Sequence, residues 1–442
     1  MASNRLTKIP NIRHLTAIQY FDIAGNSLTR LERDTFLNLP KFTSIFASQH
    51  EICQCFVSGN SSCSADGQRS PYLTCNRLLS DKALVVMMWF IGMNALGGNI
   101  FVLTWRRKAS QKNKVQDLLL SNLAMSDLLM GLYMLLIASA DVYFGDYFPM
   151  QSETWRTGIT CRIAGALSIL SSEASVFFVT IISIDRFLCT KFPHAKILDK
   201  KSTIIVCTMV WFLSSSLGII PSVLSGRNFK FYDNSHVCIG LPLALTQRFS
   251  TERSVETICP QFARSCYTKL IFQSRFEGFE PGMFFSTAIF IGLNNVCYLG
   301  ILACYVEIIR VVYKSSRRAG LNQEMKEQMR LTFKVAAIVA TDFACWFPVI
   351  LLGILVQARV LTLPPSVYAW CVTFVLPINS AINPYLYTIA AVISSHRKRR
   401  VGDTSTSQSS GQRHLGSRSH QAQEGLRSGH STQQTQQNES TA

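Results

Sequence analysis

The chain has 442 residues, 48% hydrophobic and only 16% charged, against roughly 25% charged in ordinary soluble domains. Its formal charge of +17 could suit nucleic acid, but the basic residues sit in short alternating loops between apolar blocks, which argues against that partner. Seven such blocks in series would require a very large soluble core, so a soluble globular protein is excluded in favour of a membrane protein.

Residues 1–81 are predicted to form an extracellular segment. Leu6, Ile9, Ile18, Tyr20, Phe21, Ile23, Asn26, Leu28 and Leu31 repeat the spacing of a leucine-rich repeat, with Asn26 at the position whose side chain satisfies backbone groups in the turn. Phe36, Leu37 and Leu39 would close the unit. One repeat cannot bury its own core, because such units are stable only when stacked. Met1 is followed by polar residues rather than an apolar signal-like stretch, so an incomplete ectodomain is expected. Cys53, Cys55, Cys63 and Cys75 follow, in an oxidising compartment if this face is outside, and four cysteines leave three pairings open. Asn60-Ser61-Ser62 is a glycosylation acceptor on the same condition.

Windows of about 20 residues give spans at 83–105, 116–140, 161–187, 203–224, 283–313, 331–356 and 366–389. Arg106, Arg107, Lys108, Lys112 and Lys114 lie between the first two spans, Lys191, Lys196, Lys200 and Lys201 between the third and fourth, Lys314, Arg317 and Arg318 between the fifth and sixth, and Arg397 to Arg400 after the seventh. This asymmetry makes those loops cytoplasmic and the N-terminus extracellular, and anionic inner-leaflet lipid accounts for the charge. Cys161 and Cys238 are suitably placed to tie the outer loop that follows the fourth span over the bundle. That loop, 225–282, is unusually long and also holds Cys259 and Cys266, so a lid or an insertion is expected. Residues 397–442, rich in Ser, Gln, Thr and Gly, cannot bury enough apolar surface to fold.

Polar side chains inside the spans carry the function, because lipid penalises them. Asn99, Asp127, Ser175, Asn379, Ser380 and Asn383, facing inward, could share water and a sodium ion; the alternative is a hydrogen-bond network that only sets helix packing. Asp185-Arg186-Phe187 places a guanidinium beside a carboxylate at the inner membrane edge, a pair that can hold one helix arrangement and release it in another. In the sixth span Pro348 removes a backbone hydrogen bond, making a hinge with Trp346 at the bend. Asp342, one turn below Trp346, could bond Asn379 or Asn383 and restrain a resting state.

Thr341-Asp342-Phe343-Ala344-Cys345-Trp346-Phe347-Pro348, Leu376 to Pro384, and Ser171-Ser172-Glu173-Ala174-Ser175 together resemble the rhodopsin-like G-protein-coupled receptors. Among these the chain is similar to the leucine-rich-repeat receptors, most of all the relaxin and insulin-like peptide receptors, with Trp346 where glycoprotein-hormone receptors usually carry methionine. The resemblance implies an all-α seven-helix bundle at 82–396 with a short repeat remnant before it. The implied protein is a plasma-membrane receptor that passes an extracellular peptide-hormone signal to a heterotrimeric G protein, often one stimulating adenylate cyclase. It further implies Asp127 and Asn383 for an ion and water network, Arg186 for the G-protein contact, Trp346, Pro348 and Pro384 for the switch, Tyr305 and Tyr387 for active-state hydrogen bonds, and a Cys161–Cys238 disulfide. Phe187 replaces a common tyrosine. No cofactor beyond the sodium ion is implied, and no enzyme activity: clusters of His and acid with metal spacing are missing from the spans. A transporter would show paired broken helices in self-similar halves, which the sequence lacks, and 366–389 has no lysine for a retinal Schiff base. The remaining rivals are a glycoprotein-hormone receptor and an orphan relative.

Overall fold

The computed structural model describes residues 2–386 except 10–11, 13, 33–34, 37–38, 40, 49, 58–61, 66–74, 76, 109–113, 193–197, 225–230, 233–234, 243–246, 259–266, 280, 320–322, 362 and 364. Leu37, Asn60, Cys259, Cys266, Tyr387 and the whole of 397–442 therefore lie outside the described residues.

The N-terminal region forms a small parallel sheet. Strands β1 (Tyr20–Asp22), β2 (Ser44–Ala47) and β3 (Ser62–Ala65) pair in that order, with Phe21 opposite Ile45. The sequence pattern singled out one unit; the structure adds two strands from stretches without a recognisable repeat signature. Alternation aims Phe21 and Ile45 into a core with Ile12, Ile23, Leu28, Leu31 and Phe36. Asn26 turns inward, its Oδ1 accepting from the Leu6 amide at 3.1 Å and its Nδ2 donating to the Ile23 carbonyl at 3.0 Å, so the turn after β1 has its buried backbone groups satisfied. The short helix α1 (His50–Cys55) is tied by Cys53–Cys63 to β3 and by Cys55–Cys75 to the segment entering the bundle.

Six helical stretches among the described residues are long and apolar enough to cross a membrane. They fall on α2 (Lys82–Lys108), α3 (Lys114–Phe144), α5 (Ile159–Lys191), α6 (Lys200–Leu224), α8 (Asn294–Ala319) and α9 (Gln323–Gln357). Each overruns its apolar window at one end or both, because a helix continues into the aqueous boundary for as long as side chains there tolerate it. Between α3 and α5 stands the outer helix α4 (Phe148–Thr157), and α8 is preceded by α7 (Pro281–Ser286) and a π segment at Thr287–Leu293. The seventh expected span is discontinuous: α10 (Pro365–Trp370), a π segment Cys371–Val375, then α11 (Ile378–Pro384). Pro377, which precedes α11, accounts for the break, since it cannot donate a ladder hydrogen bond; Pro384 closes α11 at its far end.

The outer loop is pinned onto the bundle. Cys238 is disulfide-bonded to Cys161 at the start of α5, the Tyr133 hydroxyl donates to the Val237 carbonyl at 2.7 Å, and the Tyr232 hydroxyl donates to the Gly218 carbonyl at 2.7 Å. Gly165 makes this possible, because a Cβ there would collide with the Tyr232 ring and the Cys238 carbonyl. Further along the loop, β4 (Gln247–Ile258) and β5 (Tyr267–Phe279) pair antiparallel as a hairpin, which is the form the expected insertion takes.

His236 is buried within this loop, its ring edge-on to Phe148 at 5.2 Å. Burial first, and the neighbouring positive charge of Arg156 second, lower it from 6.5 to about 3. Between those values the undocked loop binds a proton that the docked loop does not, so docking is at full strength above about 6.5 and weakens as pH falls. Thermal melts from neutral to mildly acidic pH should show a steeper Tm loss in the native chain than in His236→Gln; parallel curves would refute the assignment.

Candidate functional site

The fold gathers the intramembrane polar residues into two linked clusters. On α3, Asp127 is completely buried. Its Oδ2 accepts from Asn383 Nδ2 at 2.8 Å, and its Oδ1 accepts from Ser380 Oγ at 2.9 Å and, more weakly, from Ser175 Oγ of α5 at 3.4 Å. Asn99 of α2 donates to the Ser380 carbonyl at 3.0 Å. Thus α2 and α3 converge on α11, and α5 joins them through Asp127. The helix spacing explains this: Ser380 and Asn383 are three residues apart and share a face, while Gly98 of α2 leaves room for the Pro384 ring, whose atoms would lie 3.0 Å from a Cβ placed there.

The second cluster centres on Asp342 of α9, also buried. Asn379 Nδ2 donates to its Oδ1, and the Tyr298 hydroxyl of α8 donates to its Oδ2 at 2.7 Å. Of the two partners the sequence allowed, the structure selects Asn379. That choice turns the Asn379 amide nitrogen away from Asp127, so the residues expected to share one ion site divide between the two clusters. One turn from Tyr298, Asn294 of α8 donates to the fully buried Glu173 carboxylate of α5 at 3.4 Å. Glu173 entered the sequence reading only as part of a motif; a carboxylate at mid-span was the signal that could have singled it out.

At the inner end of α5, Arg186 is 1% exposed and folds back on Asp185, both its Nε and Nη2 donating to Asp185 Oδ2. The buried Tyr305 hydroxyl of α8 lies close to Ser183 and Arg186. Higher in the bundle the Trp346 indole stacks on Phe290 of the π segment, centroids 5.6 Å apart, and Pro348 follows within α9. The ring pair therefore links the proline-bearing part of α9 to the irregular start of the α8 stretch.

At the outer end, α4 joins the N-terminal sheet to the bundle. Met150 is buried among Phe21, Ile45 and their neighbours, Gln151 Nε2 donates to the Thr29 carbonyl at 3.2 Å, and Arg30 lies over the Tyr147 ring at 5.4 Å. The same helix also holds the outer loop through Trp155 Nε1, which donates to the His236 carbonyl at 2.7 Å. A second tether runs beneath it: the Leu79 amide donates at 3.0 Å to buried Asp141 of α3, and Arg77 approaches the same carboxylate at 3.6 Å.

Six membrane-crossing helices and a broken seventh, packed around a buried polar chain, define a seven-helix membrane receptor. The sequence matches the 7 transmembrane receptor (rhodopsin family) over residues 98–259 and 237–387, more than half of its length, and the chain belongs to that family. It is 32% identical to the G-protein coupled receptor GRL101 of Lymnaea stagnalis over 367 residues, covering 82% of this chain and 30% of that protein. It is 27% identical to relaxin receptor 1 of Rattus norvegicus over 308 residues, 69% of this chain and 36% of the relative. Against the thyrotropin receptor of Bos taurus it is 27% identical over 354 residues, 78% of this chain and 39% of the relative. The chain thus spans about a third of the length of these relatives. It is a multi-pass membrane protein of a receptor family, not an enzyme.

Removing the Asn379 side chain by Asn379→Ala deprives the buried Asp342 carboxylate of one of its two donors, which should cost about 1–3 kcal/mol and lower the Tm of the purified protein. An unchanged Tm would mean that Asp342 does not depend on that bond.

Proposed function

We propose that this chain is the transducing part of a plasma-membrane receptor, N-terminus outside, that converts capture of a relaxin- or insulin-like peptide hormone into activation of a heterotrimeric G protein, with adenylate cyclase as the downstream enzyme. The observation that carries the reading is the polar chain from Asp127 through Ser380 and Asn379 to Asp342 and Tyr298. It ties α3, α11, α9 and α8 together across the proline-bearing α9. A set of hydrogen bonds among helices can be bistable, because polar groups can exchange one partner for another. In this reading the bonds to Asp342 hold α9 inward, Trp346 and Pro348 supply the hinge, and Asn383 and Pro384 transmit the shift along α11. Release of Arg186 from Asp185 then opens the G-protein contact, with Tyr305 and Tyr387 exchanging partners.

A sodium ion fits the first cluster: Asp127, Ser175 and Ser380 offer oxygens, and the buried Asn383 Oδ1 has no hydrogen-bond partner among the described residues. Such an ion would neutralise Asp127 and favour the resting packing. The peptide-hormone assignment follows the names of the relaxin receptors among the relatives; the thyrotropin receptor among them keeps a glycoprotein hormone as the rival ligand. The α4 junction supports a large extracellular ligand, since it joins the N-terminal sheet to the loop bonded to α5. Asn60 is the glycosylation site of the same outer face.

The test is G-protein nucleotide exchange by the purified chain reconstituted in lipid. Exchange above background that disappears in Arg186→Ala supports a transducer; exchange equal in both variants overturns it. Asp342→Leu removes both bonds to Asp342 and should raise basal exchange several-fold at equal receptor amount, whereas unchanged basal exchange would remove Asp342 from the switch.

A further inference from the structure

Near mid-membrane the chain turns two polar side chains toward its lipid-facing surface. Tyr385, directly after Pro384, is 49% exposed, and its hydroxyl donates to Asn94 Oδ1 of α2 at 3.0 Å. Asn94 is the midpoint of the apolar stretch 83–105 and neighbours the exposed Phe90 and Met93. Its Nδ2 donates to the Phe90 carbonyl at 2.8 Å. Lipid offers no hydrogen-bond partner at that depth, so the phenol and the amide oxygen depend on each other. Apolar side chains at these two positions would need no partner at all, so packing alone does not account for the pair.

The place of the bond shows what it restrains. At Gly98 the two helices approach closely, the Pro384 ring lying 3.0 Å from a Cβ built there. Pro384 has no N–H to give the Ser380 carbonyl, and Asn99 Nδ2 donates to that oxygen at 3.0 Å. Beyond the proline, Tyr385 reaches back toward Asn94, the direction in which helical side chains lean. Thus α2 grips α11 before and after Pro384, with Asn99 from the interior and Asn94 from the lipid side. The interior grip belongs to the polar chain around Asp127, whereas the lipid-side grip shares no atom with it. A shift of α11 that exchanges the partners of Ser380 and Asn383 carries Tyr385 off Asn94.

We propose that the Tyr385–Asn94 bond is a lipid-side clasp holding α11 in the resting packing, which makes Tyr385 and Asn94 positioning residues of the switch. This deepens the transducer reading and rests on it. The shift in the resting equilibrium that one average interhelical hydrogen bond in a membrane supplies is about threefold.

The native chain, Tyr385→Phe, Asn94→Leu and the double variant are compared in phosphatidylcholine nanodiscs by G-protein nucleotide exchange per folded receptor, each with and without Arg186→Ala. Either single substitution should raise Arg186-dependent basal exchange about threefold. The double variant should do no more than either, because both remove the same bond. No rise, a rise in one single variant alone, a roughly ninefold rise in the double variant, or a lower Tm with exchange unmoved would each overturn the clasp. The bond is also read without G protein. A bimane on Gly97→Cys, where a Cβ has open space, lies one turn from Asn94 and is quenched by a nearby tyrosine ring but not by phenylalanine. Adding Tyr385→Phe should raise its fluorescence, and equal fluorescence would overturn the bond itself. Native exchange that does not depend on Arg186 overturns the transducer reading and the clasp's role with it, while the bimane still reports the bond. Exchange that depends on Arg186 but ignores both substitutions overturns the clasp alone, so the two failures are distinguishable.

Discussion

The buried carboxylate of Asp127 constrains everything around it. In a lipid-facing bundle no solvent reaches it, so its oxygens need donors from neighbouring helices. Ser175, Ser380 and Asn383 supply them, and in doing so they set the rotation of α5 and α11 against α3. The broken form of the seventh span is compatible with this demand: a short helix between Pro377 and Pro384 presents Asn379, Ser380 and Asn383 inward together. Asp342 repeats the principle one layer away, with donors from α8 and α11.

Such a core differs from an apolar one in what it resists. A hydrogen-bonded buried carboxylate either keeps its donors or must find others, because leaving it unpaired costs its full desolvation. Discrete alternatives of that kind are what a receptor requires, since a ligand can shift only an equilibrium between states that differ in their contacts. The opposite end of the bundle is joined to the N-terminal sheet. Met150 embeds α4 in that sheet, Trp155 holds the outer loop, and the Cys161–Cys238 bond ties that loop to α5. The Asp141 clasp on Leu79 and Arg77 adds a second, shorter connection into α3.

Membrane crossing was legible from the sequence because lipid allows few solutions: long apolar runs must be helices, and polar residues within them must face inward. Six of the seven spans follow directly. The discontinuity of the last was announced by its prolines, but its division at 371–375 was not, because a π segment depends on how the neighbouring helices press against it. At the N-terminus, Asn26 marked a turn, yet β2 and β3 carried no repeat signature and were revealed only by pairing. Glu173 was present in a motif and had no role until Asn294 was brought beside it from 121 residues away.

The sequence by itself determined the class of fold, the membrane-crossing stretches, the polar residues of the interior and the proline within α9, since each follows from local composition or from the cost of placing a polar group in lipid. Only the tertiary structure decided who pairs with whom: Asn379 with Asp342 rather than Asp127, Cys53 with Cys63 and Cys55 with Cys75, Met150 with the N-terminal core. Partner choice is a matter of distance and angle between helices far apart in the chain, and neither quantity is written in the spacing of residues along one helix.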